Sequence, residues 1–154
     1  MKTTAWRITR DKYAGEAFSG EGAKRFGGRW NPSGVPAVYA AQHLSLAILE
    51  LVVHLETEID IQHFIAIPVS FDFEQVFVLP KSQLPDGWDN LPICPATQEV
   101  GRKWLEGKTS LVLQVPSSIV PIEHNYVINP QHPDFPEIEI GAPESIRIDE
   151  RLAL

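Results

Sequence analysis

Glu50 lies in the stretch from Leu44 to about Glu56, where Leu44, Ala47, Ile48, Leu51, Val52 and Leu55 recur at helical spacing. Its near neighbours on the helix surface are Leu46, Leu49 and Val53, which sets a carboxylate on a helix that is apolar on most sides. Such a group is neutral, paired or turned toward a ligand cavity, because a lone buried charge is expensive. It suits a catalytic acid or a stabiliser of positive charge in a transition state. The plainer readings are a Glu that reaches solvent at the helix edge or pairs with an Arg. Arg29 stands between Gly28 and Trp30. A guanidinium in a glycine-freed loop suits bidentate recognition of phosphate or carboxylate, with Trp30 as a stacking face; a structural pairing with a buried acid is the alternative. Tyr39, on a short strand, offers a ring and a hydroxyl, or simply a core residue. Ser117, held between Pro116 and Pro121, is open to three roles: nucleophile, phosphate ligand or turn cap. No Gly-x-Ser-x-Gly elbow surrounds it, which argues against serine-hydrolase chemistry. Asn125 and Asn129 bracket a strand and would hold either a ligand or a turn.

The other reactive residue types fall away. His43, His54, His63, His124 and His132 match no metal-binding spacing, so no metal site is expected. Cys94 is the sole cysteine, in a proline-rich loop without an evident base, and excludes an internal disulfide framework. Six of the ten glycines lie between Gly15 and Gly34. They do not form a dinucleotide fingerprint of the Rossmann kind, since Arg25 occupies the third glycine's place. Turn chemistry describes this segment better than a helix does.

Elements must carry these residues to one place, and 154 residues at 17.2 kDa suit one domain over 1–154. Short strands are expected at 4–9, 37–40, 64–71, 75–79, 111–115, 126–128, 138–140 and 146–148. Pro68 demotes the third of these to an edge or a bulge. Beside the helix at 44–56, a second one runs from Pro95 to Gly107, Pro being suited to a first helical turn. Many short strands with two helices make an α+β domain. The net charge is −7, but residues 1–30 carry +4 and the remainder −11. An acidic chain is a poor polyanion binder, whereas a basic, glycine-rich segment suits a small anion. With no apolar run of membrane length and no signal-peptide core, a cytoplasmic protein without a membrane segment or direct nucleic-acid binding is expected. Apolar residues over 64–79 offer a surface for a homodimer.

The ordered set Trp6-Arg7-Ile8, Gly20-Glu21-Gly22-Ala23, Gly27-Gly28-Arg29-Trp30-Asn31 with Gly34, Tyr39, and Leu46-Ala47-Ile48-Leu49-Glu50 resembles the RES domain. The resemblance continues through Val115-Pro116-Ser117, Asn125, Ile128-Asn129-Pro130, His132-Pro133 and Phe135. RES domains are the toxins of a class of bacterial toxin–antitoxin pairs. The likeness implies an ADP-ribosyltransferase-like split β core with NAD, as substrate and not as cofactor, in a cleft. It implies cleavage of the nicotinamide–ribose bond by hydrolysis or phosphorolysis, phosphate then being a co-substrate. The family's namesake Arg, Glu and Ser would be Arg29 or Arg7, Glu50 and Ser117. Glu50, Arg29 and Tyr39 would form the catalytic set, with Arg7, Trp30, Asn31, Ser117, Asn125 and Asn129 around the substrate. An Xre-like helix-turn-helix antitoxin would block the site. Two other readings stand beside this one: transfer of ADP-ribose to a macromolecule, and a non-enzymatic module that binds a nucleotide or a partner.

Overall fold

Strands that bury both faces gain most from one fixed register, since a slip by one residue turns every side chain to the wrong side. A computed structural model of the chain describes residues 1–55 and 61–152. Its strands are β1 (Lys2–Arg10), β2 (Val38–Ala41), β3 (Phe64–Asp72), β4 (Val76–Val78), β5 (Val112–Pro116), β6 (His124–Ile128), β7 (Glu139–Ile140) and β8 (Glu144–Ile146). The helices are α1 (Glu21–Phe26), α2 (Leu44–Val52) and α3 (Pro95–Gly107). They build one α+β unit around a single sheet of order β4-β5-β6-β2-β1-β3-β7, with β8 also on β3. Only the β4–β5 pair is parallel among the described strands.

The sheet nearly divides in its middle. β1 pairs with β3 at nine positions, yet meets β2 at one, Trp6 with Ala41. Arg7 spans the opening. Gln42 donates its N–H to the His124 carbonyl, so by antiparallel alternation the peptide group of Tyr39 faces β1. The Tyr39 carbonyl accepts from Arg7 Nη1 at 3.1 Å, and Arg7 Nε donates to the Ala17 carbonyl. A guanidinium thus stands where a strand's own N–H would otherwise complete the ladder. Burial pushes the Arg7 pKa down to about 10, and the side chain remains charged at neutral pH.

Each face of the sheet has its own core. On one, Ala5, Val38, Ala40, Ile67, Val69 and Phe71 pack with Tyr126 and Ile128. On the other, α3 lays Trp104 and Leu105 over Leu113, Val115 and Val127, while α2 lays Leu46 and Ala47 over Trp6, Ile8 and Ala41.

Four expectations need correction. β3 is an interior strand, not an edge. Pro68 is tolerated there because its carbonyl accepts from Gly141 on the β7 side, so its missing N–H falls on that side too, in the gap between Val69, which pairs with β7, and Ala66, which pairs with β8. Residues 21–26 form a short helix where turns were expected. Ala23 alone packs from it against the core, so it carries no apolar stripe to betray it, and Gly27 at φ 74° ends it. α2 stops at Val52, with Val53 as its cap, and Glu56 lies outside the described residues. Nor is α2 buried on most sides: Leu49 and Val53 are exposed, which puts Glu50 at a rim. Of the apolar residues over 64–79, those exposed are Phe73, Phe77 and Val78, near the β4 edge. No helix among the described residues is long and apolar enough to cross a membrane.

Candidate active site

Residue alternation places Tyr39, Ala41, Asn125 and Val127 on one face, because Tyr39 pairs with Val127 and Ala41 with Asn125. α2 packs on this face through Ala41 and brings Glu50 down to Asn125. Glu50 Oε1 accepts from Asn125 Nδ2 at 2.7 Å and from Ser117 Oγ at 2.7 Å. Oε2 has no protein partner among the described residues. The carboxylate is therefore held by one oxygen while the other stays available. The Oδ1 of Asn125 is buried and accepts no hydrogen bond among the described residues.

The second part of the site is the loop from Gly27 to Asn31. Tyr39 fixes it by donating its hydroxyl proton to Asn31 Oδ1 at 2.6 Å while accepting from Trp30 N at 3.0 Å. Burial raises the Tyr39 pKa above its ordinary 10.0, so the hydroxyl stays protonated and committed to the loop. Asn31 is fully buried and donates to the carbonyls of Ala23 and Val35, both at 2.9 Å. Gln98 of α3 donates to the Gly28 carbonyl at 3.0 Å. Gly28 has no room for a side chain: a Cβ there would lie 2.8 Å from both Asn31 Oδ1 and the Tyr39 hydroxyl. Out of this rigid loop projects Arg29. Its Nη1 donates to the carbonyls of Trp88 at 2.7 Å and Asn90 at 3.1 Å, and no carboxylate pairs with it among the described residues.

The structure thus brings Glu50, Ser117 and Asn125 together, and Arg29, Trp30, Asn31 and Tyr39 together, joined by the common face of β2 and β6. Trp30 is 2% exposed and packs with Trp104 and Leu105, so its ring offers no free stacking face. Arg7 serves the sheet opening from the opposite face. Asn129, 1% exposed, donates to the Leu105 carbonyl and accepts from Gln131 N, bracing α3 and a turn away from Glu50. Two contributors escaped sequence reasoning, Gln98 and Gly101. A Cβ on Gly101 would lie 1.5 Å from the Trp30 carbonyl oxygen, so α3 approaches the loop only because this position is bare. The available signal was a glycine in mid-helix, where alanine is preferred by about 1 kcal/mol.

With this geometry in place, comparison with known proteins gives a consistent answer. The model of the RES domain matches residues 4–149. A protein named Toxin Res from Photorhabdus laumondii is 42% identical over 131 residues, covering 84% of this chain and 83% of its own length. A protein from a Sphingobium species, named Prs ADP-ribosylating toxin, is 41% identical over 140 residues, covering 87% of this chain and 86% of its own. The mycobacterial protein MbcT, named an NAD(+) phosphorylase, is 45% identical over 53 residues in Mycobacterium tuberculosis, 32% of this chain and 28% of its own. The crystal structure of the M. tuberculosis MbcT–MbcA toxin–antitoxin complex superposes with a TM-score of 0.75 at 19% identity, over 99% of this chain and 87% of the other. That likeness establishes the fold.

Proposed function

The chain belongs to the RES domain family, and on that footing we propose that it is the toxin of a toxin–antitoxin pair, acting on NAD by cleaving the nicotinamide–ribose bond. The observation that carries this reading is Glu50, anchored through Oε1 by Ser117 and Asn125 with Oε2 left over. When the bond between the ribose anomeric carbon and the pyridinium nitrogen breaks, its electron pair leaves with neutral nicotinamide. The ribosyl fragment then carries oxocarbenium-like positive charge. A fixed carboxylate oxygen stabilises that charge more than it stabilises the ground state, which is the requirement for catalysis. Water or phosphate then closes on the anomeric carbon, giving ADP-ribose or its 1-phosphate.

Arg29 is the anion-binding group in this scheme. Its present partners are two neutral carbonyls, and a charged pyrophosphate oxygen is a stronger acceptor for a guanidinium. Tyr39 sets the position of Arg29 through Trp30 and Asn31, and presents its ring on the same face as Asn125. The antitoxin, an Xre-like DNA-binding protein, would silence the enzyme by covering this face. Transfer of ADP-ribose to a macromolecule is the second reading, favoured by the name of the Sphingobium relative.

One experiment separates them. Purified protein is incubated with NAD, with and without phosphate, and products are resolved by chromatography. Nicotinamide release is expected in at least one condition, and the sugar product identifies the acceptor. A macromolecular acceptor would show instead as radiolabel from NAD on protein or nucleic acid. Folded protein that releases no nicotinamide and labels nothing would leave only a binding module.

A further inference from the structure

Ser117 was expected to touch a ligand, and its geometry assigns it otherwise. The side chain is fully buried, with 0% exposure. Its Oγ accepts from the backbone N–H groups of Ile119 and Val120, both at 3.1 Å. A hydroxyl has one proton, and with its lone pairs taken by those two donors, that proton goes to Glu50 Oε1 at 2.7 Å. Nothing on the hydroxyl remains to offer a substrate. Asn125 donates to the same oxygen, so the two donors fix which carboxylate oxygen is spent and which stays free. The hydroxyl also ties the 117–123 turn, closed by Ser117 N to Glu123 O at 3.0 Å, to helix α2.

We infer that Ser117 is a positioning residue that acts solely through Glu50, holding the carboxylate by Oε1 so that Oε2 meets the ribosyl cation. The inference rests on the proposed reading of Glu50 and adds a division of labour to it. A substrate-binding serine would contribute to affinity. A positioning serine contributes to turnover and is worth nothing once the carboxylate is gone.

The test is steady-state nicotinamide release from NAD by four proteins: wild type, Ser117→Ala, Glu50→Gln and the double variant. In Ser117→Ala, kcat should fall about 10- to 100-fold with KM within about two-fold of wild type, as for an interaction expressed only in the transition state. In the Glu50→Gln background, Ser117→Ala should cause no further loss, because the pair acts as one unit. A rise of about ten-fold in KM with kcat intact, or losses that multiply in the double variant, overturns the inference. Should Ser117→Ala fail to fold by circular dichroism, Ser117→Cys carries the same test, since it keeps the volume and donates weakly. The ¹³C resonance of the Glu50 carboxylate must also move in the Ser117 variant. A resonance that moves in a protein without NAD turnover condemns the functional reading and leaves the Ser117–Glu50 contact standing. A resonance that stays still condemns the contact.

Discussion

The Glu50 end and the Arg29 end of the site are built on opposite plans. At Glu50 the functional group itself is held by neighbouring side chains: Ser117 and Asn125 each bond it at 2.7 Å. At Arg29 it is the backbone that is held, by Tyr39, Asn31 and Gln98, while the guanidinium reaches out to two carbonyls of the 88–90 loop. A group that must face developing charge gains from being fixed before the reaction begins. A group that must capture an anion gains from holding weaker partners that the anion can replace. The contrast predicts that changes at the first end reduce turnover and changes at the second weaken binding.

The largest effect belongs to Glu50. Glu50→Gln keeps the size of the side chain and removes its charge, and should cut kcat by about 10²–10³-fold with KM little changed. Nicotinamide release by the folded variant is the measurement, and wild-type turnover would end the comparison at its first term. Gly101→Ala probes the platform of the other end. Its Cβ would stand 1.5 Å from the Trp30 carbonyl, so α3 must retreat from the loop. We expect a loss of about 3 kcal/mol despite the gain in helix propensity, read as a fall of about 6–12 °C in Tm. An unchanged Tm would mean that the loop does not depend on α3.

That glycine also marks the boundary of what the sequence makes legible. Helical and strand patterns located α2, α3 and all eight described strands to within a few residues, because most of them bury an apolar face whose spacing is written in the chain. Glu50 was conspicuous as a charge among apolar neighbours, although two of these, Leu49 and Val53, are exposed. Its partners were not legible. Ser117 and Asn125 meet it from 67 and 75 residues away, and it takes the β2–β6 and β5–β6 registers together to bring them under α2. Trp30 and Asn31 misled in the opposite sense: a tryptophan and an asparagine beside an arginine resemble a binding surface, yet both are buried as internal braces. Helix α1 escaped because six residues with one packing side chain carry no period.

Arg29→Ala sharpens the comparison from the binding side. It removes the fork and leaves the backbone braces in place, so the protein should fold while KM for NAD rises about ten-fold, or about 1.4 kcal/mol, and kcat moves less. Arg29→Lys should recover part of the affinity, since it restores charge without the planar fork. If Arg29→Ala instead lowers kcat at constant KM, the guanidinium acts in the transition state and the two ends share one plan.

The smallest kinetic effect tests whether Tyr39 is a brace or a reactive group. Its hydroxyl is buried between Asn31 Oδ1 and Trp30 N, and burial raises its pKa above 10.0. In the unfolded chain the same phenol ionises near 10.0, while in the folded chain it resists. An acid whose folded pKa is raised contributes stability that is complete below the unfolded value and declines as pH climbs beyond it. Unfolding free energy should therefore drop above pH 10, and Tyr39→Phe should flatten that drop while Tyr126, also raised by burial, preserves part of it. At neutral pH, Tyr39→Phe should cost about 1–3 kcal/mol, because it strands two buried polar groups of the Arg29 loop. The matching kinetic expectation is a rise in KM of a few-fold with kcat retained, since the hydroxyl shapes the binding end alone. Denaturant melts from pH 7 to 11 on both proteins read the first part, and nicotinamide release reads the second. A collapse of kcat in a variant of undiminished stability would move Tyr39 from the loop's scaffold to the reaction itself.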